Sequence, residues 1–195
     1  MSTDCPLSTA HQELLIHVAY QSIEHGLRHH QPLTLNILDF PEVLREPRPV
    51  FVTLRIGGDL RGCIGTLEYS QPLILNVAHY AHASAYSDPR FPPLAPNELG
   101  LVDLSISVLS PLEELNFDSE AQLMTQLRPG MDGLLLEEGC HRATLLPSVW
   151  EDIPAKQEFL QRLKIKAGLP RKYWSTNIRI QRYTAYSIHS SHAGC

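Results

Sequence analysis

The chain has 195 residues, with 16 Lys and Arg against 21 Asp and Glu, a net charge of −5 and a pI of about 6.0. The basic residues are scattered, which argues against a surface that tracks phosphates and makes nucleic acid an unexpected partner. Apolar stretches are short and the first residues lack a basic flank and an apolar core, so the expectation is a cytoplasmic protein with no membrane association. That length suits a single domain, expected over residues 1–195, with a core at about 10–188 and flexible tails.

In chain order, Thr9-x-x-Gln12 reads as a capping box that opens a helix with Leu14, Leu15, Val18 and Ile23 on its apolar face, stopped by Gly26. Between His29 and Pro49, the prolines at 32, 41, 47 and 49 leave room only for a short helix around Glu42 to Arg45. Phe51 to Ile56 and Leu60 to Thr66 are β-rich runs separated by Gly57-Gly58-Asp59, a hairpin signal. Pro72 opens a second long helix to about Ser87. Its small residues Ala78, Ala81, Ala83, Ser84 and Ala85 allow a neighbour to come close. Val102 to Leu109 alternates as a strand, and Leu134 to Leu136 pairs with Arg142 to Leu146 across Gly139. A helix from about Ala155 to Ala167, capped by Gly168, and one closing strand near Asn177 to Ile188 complete the chain. A Gly-containing hairpin followed by a helix thus occurs twice, the element order of an internal repeat.

The segment Leu60-Arg61-Gly62-Cys63-Ile64-Gly65, preceded by Phe51-Val52-Thr53-Leu54, is the most informative stretch. Asp88-Pro89-Arg90-Phe91-Pro92-Pro93 with Glu98-Leu99, Ser105 to Pro111, Gly130-Met131-Asp132-Gly133-Leu134, Leu146 to Trp150 and Lys166 to Pro170 follow in order. Together these motifs resemble the AMMECR-type domain family, protein A of the bacterial AmmeMemoRadiSam system, between residues 12 and 188. One departure is Ser148, where the family usually carries glutamine. The resemblance implies an α+β fold, mostly antiparallel sheet with flanking helices, in two unequal lobes around a cleft that the hexapeptide faces. It also implies a Memo-type protein and a radical-SAM protein as partners, and brings no cofactor assignment.

Side chains two apart on a strand share a face, so Arg61 and Cys63 are expected to point the same way, a cation beside a thiol that it would activate. A two-residue turn at Gly57-Gly58 or Gly58-Asp59 would put Cys63 with Val52, Leu54 and Ile56, an apolar face that disfavours the thiolate. A three-residue turn would put it with Phe51, Thr53 and Arg55. Gly62 and Gly65 mark either a ligand's close approach or tight packing of the Ala-rich helix. The proline-stiffened loop presents Asp88 and Arg90 as binding candidates. His79 and His82, three apart on one helix face, are the nearest bases in sequence, although a solvated face explains them more simply.

The four cysteines, Cys5, Cys63, Cys140 and Cys195, form no C-x-x-C pair, so neither a disulfide framework nor a metal site is expected. The C-terminal His192 is given no role. Two functions follow. The first is a cysteine-dependent enzyme acting on a large or peptide-like substrate, with Cys63 and Arg61 as candidate catalytic residues and Gly62, Gly65, Asp88 and Arg90 as candidate binding residues. The second is a non-enzymatic interaction partner that docks through the same segment. On the enzyme reading Cys63 alkylates faster than Cys140, and Arg61→Ala slows it.

Overall fold

A computed structural model describes residues 7–190, so Cys5, His192, Cys195 and the ends of both expected tails lie outside the described residues. The chain runs α1 (Thr9–His29), α2 (Glu42–Arg45), β1 (Val50–Ile56), β2 (Asp59–Gly65), α3 (Leu73–Tyr86) and β3 (Val102–Leu109). It continues β4 (Glu113–Glu114), α4 (Glu120–Gln126), β5 (Gly133–Glu138), β6 (His141–Leu145), α5 (Val149–Asp152), α6 (Lys156–Lys166), β7 (Arg179–Tyr183) and β8 (Ala185–His189). Short 3-10 helices cover Ile37–Asp39 and Pro96–Leu101. The fold is α+β, with two four-stranded sheets, and the chain divides into two compact units: Met1–Leu109 with Tyr186–Cys195, and Ser110–Ala185.

In the first unit the strand order is β2-β1-β3-β8, and β1 runs antiparallel to both β2 and β3. The period-two pattern holds: Val50, Val52 and Leu54 on β1 and Val102, Leu104, Ile106 and Val108 on β3 are buried together with Leu73, Ile74, Val77, Ala78 and Ala81 of α3. Leu15, Val18, Ala19 and Ile23 of α1 complete this core. Three buried or half-buried hydroxyls tie its layers: Tyr20 donates to the Val102 carbonyl (2.7 Å), Ser22 to that of Ala78 (2.7 Å) and Tyr86 to that of Ile23 (2.7 Å).

Two features of α1 differ from the sequence reading. The N-cap is Ser8, whose hydroxyl accepts from the His11 N–H at 3.3 Å, so Thr9 is already the first helical residue. Gly26 does not stop the helix, which continues to His29 and ends at His30 in the left-handed region (φ 56°). Gly26 is buried, and a Cβ there would collide with the rings of Tyr86 and His82 on α3. The glycine serves helix-to-helix approach, a role that looks in sequence just like a terminator.

In the second unit the order is β4-β7-β5-β6, with β5 antiparallel to β6 and β7. The expected closing strand is two: β7 belongs to this sheet and β8 to the other, and the break falls at Thr184, whose N–H donates to the Ser110 hydroxyl and whose carbonyl accepts from the Ser110 N–H. Both sheets place a hairpin at one edge, with the hairpin's first strand inside, the order expected of a repeated unit. Trp150 stacks on Phe159 (centroids 3.7 Å apart) and donates its ring N–H to the Asp132 carbonyl. Asp132 is fully buried and accepts the Arg128 backbone N–H and guanidinium, so Gly130 to Gly133 is turn chemistry. Lys164, also fully buried, is held by Glu120 at 2.8 Å and lies over the Trp174 ring. Ser148 is exposed and makes no capping bond at α5. Among the described residues no helix is long and apolar enough to cross a membrane.

Candidate functional site

The turn between β1 and β2 has two residues, Gly57 (φ 59°) and Gly58 (φ 89°), with Ile56 opposite Asp59. By alternation alone this would put Cys63 on the apolar face. A bulge intervenes: Arg55 pairs with Leu60 and Leu54 with Gly62, so Arg61 is the extra residue. Beyond it Cys63 stands opposite Thr53, on the face that carries Phe51 and Thr53 and away from the core. The short turn and the polar face are thus both realised, which neither sequence alternative anticipated.

The bulge also redirects Arg61. Its guanidinium grips Glu98 with two hydrogen bonds (2.8 and 2.9 Å) and reaches the Pro93 carbonyl at 3.3 Å. Hydrogen bonds from Arg61, and then from the Ala95 N–H, hold the Glu98 carboxyl at a pKa of about 2. The cation at Cys63 is Arg90 instead. Its guanidinium donates to the Cys63 carbonyl at 3.2 Å, while the Asp88 carboxylate accepts the Cys63 N–H at 2.9 Å. Arg90 also donates three hydrogen bonds to the Asp88 carboxylate, from its guanidinium at 2.9 and 2.7 Å and from its backbone N–H at 3.1 Å.

Strand β2 is an edge strand, and this ion pair occupies its outward N–H and C=O at Cys63 as a neighbouring strand would. The Arg90 hydrogen bond, followed by the backbone N–H groups of Cys63 and Arg90, brings the Asp88 carboxyl down to about 2. Phe91, only partly buried, lies between the two arginines, 6.0 Å from Arg61 and 5.5 Å from Arg90.

The thiol itself is half-buried and free, and it accepts a hydrogen bond from the Thr53 hydroxyl at 3.3 Å. No histidine is hydrogen-bonded to it among the described residues. His79 is exposed and set edge-on against Tyr80, and His82 packs on Tyr86 beside Gly26. At about 100° per residue His82 and Ser84 fall on opposite sides of α3, and it is Ser84 that faces the hairpin.

The Ser84 hydroxyl donates to the Val52 carbonyl (2.8 Å) and accepts from the Ile64 N–H (2.9 Å), inserting α3 between paired residues of β1 and β2. Both hexapeptide glycines face the protein's own backbone: a Cβ on Gly62 would strike the Ser84 carbonyl, and one on Gly65 the Val50 carbonyl and Phe51. Among the described residues no group of three or more His, Cys, Asp or Glu is arranged to hold a metal ion.

Burial, with His79 and His25 adding repulsion, lowers the His82 pKa below its ordinary 6.5. The unfolded chain then binds a proton more readily, so this contribution to stability is present above about pH 6.5 and is lost as pH falls below it. Urea melts between pH 7.5 and 5 should therefore show a smaller acid-induced loss in His82→Gln than in wild type.

The family model AMMECR1 matches residues 16–188. The chain belongs to the AMMECR1 family. A protein of Methanothermobacter thermautotrophicus is 40% identical over 190 residues, covering 94% of this chain and 96% of that relative, and one of Thermotoga maritima is 37% identical over 145 residues, covering 73% and 78%. The crystal structure of an uncharacterized protein from Pyrococcus horikoshii superposes with a TM-score of 0.86 at 32% identity, covering 92% of this chain and 91% of that one.

Sequence reasoning singled out Arg61, Cys63, Asp88 and Arg90, and the structure brings all four to one edge of the first sheet. Glu98, Thr53 and Ser84 went unassigned. Glu98 had a legible signal, since it sits at the third position after Ala95, where a carboxylate caps a helix start.

Proposed function

We propose that this chain is a cytoplasmic recognition module that binds a peptide-like segment of a partner protein at the β2 edge and the 88–98 loop. What carries this reading is how the charges are used. Arg61 is committed to Glu98, and Arg90 to Asp88 and the Cys63 carbonyl, so the cations fix the segment's geometry. The Phe91 ring and the Cys63 thiol then lie beside each other for a ligand, one on the 88–98 loop and one on β2, in a segment whose ordering cost is met on folding. Aromatic rings at fixed positions are common binding anchors. Memo-type and radical-SAM proteins, the partners the family resemblance implies, are the first to test. Alkylation of Cys63 by iodoacetamide should slow when the partner is added, with Cys140 unaffected. Equal Cys63 rates with and without bound partner would count against a contact at this site.

One observation favours an enzyme reading. The Thr53 hydroxyl is hydrogen-bonded to the Cys63 sulfur at 3.3 Å, an arrangement suited to a reactive thiol. The two readings differ in a measurable order of rates. Cys140 is exposed on the β5–β6 turn and Cys63 is half-buried, so the recognition reading expects Cys140 to alkylate first in the free protein. Mass-spectrometric time courses in which Cys63 leads would favour the thiol enzyme.

A further inference from the structure

Residues His25 and His29 stand one turn apart on α1, away from the Cys63 site. Their rings lie 4.3 Å between centroids and are tilted by 30°. Residues four apart share a helix face, and a histidine pair at this spacing supplies two imidazole nitrogens to one metal ion. We propose that His25 and His29 form a surface site for a divalent transition-metal ion that prefers imidazole, such as Ni²⁺ or Cu²⁺, with water completing the coordination.

Three observations beyond spacing support it. The pair borders a groove of about 260 Å³ lined also by Gln21, Glu24, Arg28 and Leu33, so there is room for an ion with its waters. Neither imidazole hydrogen-bonds to another described residue, which leaves both sets of lone pairs available. Arg28, the cation between the two histidines in sequence, is turned to Glu24 at 2.6 Å, so its charge is balanced locally. Two protein ligands make an exchangeable site; among the described residues no third His, Cys, Asp or Glu completes a metal-binding group. Imidazole donors place the affinity order as Ni²⁺ below Cu²⁺, with Mg²⁺ and Ca²⁺ excluded. Protons and the metal ion compete for the same imidazole nitrogens, so acidification opposes binding.

The test is a calorimetric titration of the full-length protein with Ni²⁺ alone at pH 7.5, paired with imidazole-resolved NMR to read paramagnetic broadening. The proposal expects a site of one-to-one stoichiometry, selective broadening of His25 and His29, and affinity lost by about tenfold or more in His29→Gln. His29 is exposed, so an unchanged melting temperature verifies that the variant folds. A His192→Gln control should bind like wild type. Absence of binding, broadening centred on other residues, or affinity lost in His192→Gln but kept in His29→Gln would overturn the assignment.

Discussion

Replacing Asp88 with alanine should destabilise the protein by about 2–4 kcal/mol, a large effect for a residue in a loop. The carboxylate is almost wholly buried, with 3% of its side chain exposed, and it serves the Cys63 N–H, the Arg90 N–H and the Arg90 guanidinium at once. Removing it leaves a part-buried strand N–H without a partner and frees a cation that was fixed over Phe91. Arg90, half-exposed, recovers some hydration, which keeps the effect below that of a fully buried pair.

The pH arm has a defined sign. The folded carboxyl is lowered to about 2 from an ordinary 3.8, so its stabilisation is complete above about pH 4 and is lost as pH falls toward 2. Asp88→Asn should remove this part of the acid transition. Denaturant melts at neutral pH and acid titrations followed by circular dichroism read both. A change under about 0.5 kcal/mol for Asp88→Ala, the range of ordinary surface substitutions, would show that the loop does not brace the edge strand.

Gly62→Ala is expected to cost about 3 kcal/mol, the upper end for overpacking by one methyl. The group it strikes is the Ser84 carbonyl, part of the α3 backbone, which cannot rotate aside as a side chain would. Relief requires α3 to move off the hairpin, which also breaks the Ser84 bonds to Val52 and Ile64. Ala substitution at Gly100, which meets no neighbouring atom, is the control and should stay near wild type. Thermal melts that move by less than a degree for Gly62→Ala would remove the packing explanation and return that glycine to the list of ligand-contact candidates.

These two positions show which parts of the structure the sequence carries openly. Local patterns were readable: the alternation from Val102 to Val108, Gly57-Gly58-Asp59 as a hairpin signal, and Pro72 and Ser87 as the bounds of α3 all rest on residues close in the chain. The bulge at Arg61 was not, because what draws that side chain out of register is Glu98, 37 residues away, and strand periodicity contains no term for it. For the same reason Arg61 was assigned to the thiol, although Arg90 is the residue that reaches Cys63. Gly26 was read as a terminator since the rings that require its missing Cβ come from α3. The closing segment read as one strand because the passage between sheets at Thr184 is set by hydrogen bonds to Ser110, 74 residues earlier.

The measurement that most directly tests the recognition account is a calorimetric series in which a purified Memo-type or radical-SAM partner is titrated into wild type, Cys63→Ser and Phe91→Ala. The account predicts binding in the micromolar range or tighter, retained by Cys63→Ser, in which only the thiol's nucleophilicity is lost. Phe91→Ala should weaken it about tenfold or more, since truncating an aromatic anchor typically costs above 1 kcal/mol. Binding of neither partner by wild type, or a Phe91→Ala variant that binds as tightly as wild type, would contradict it.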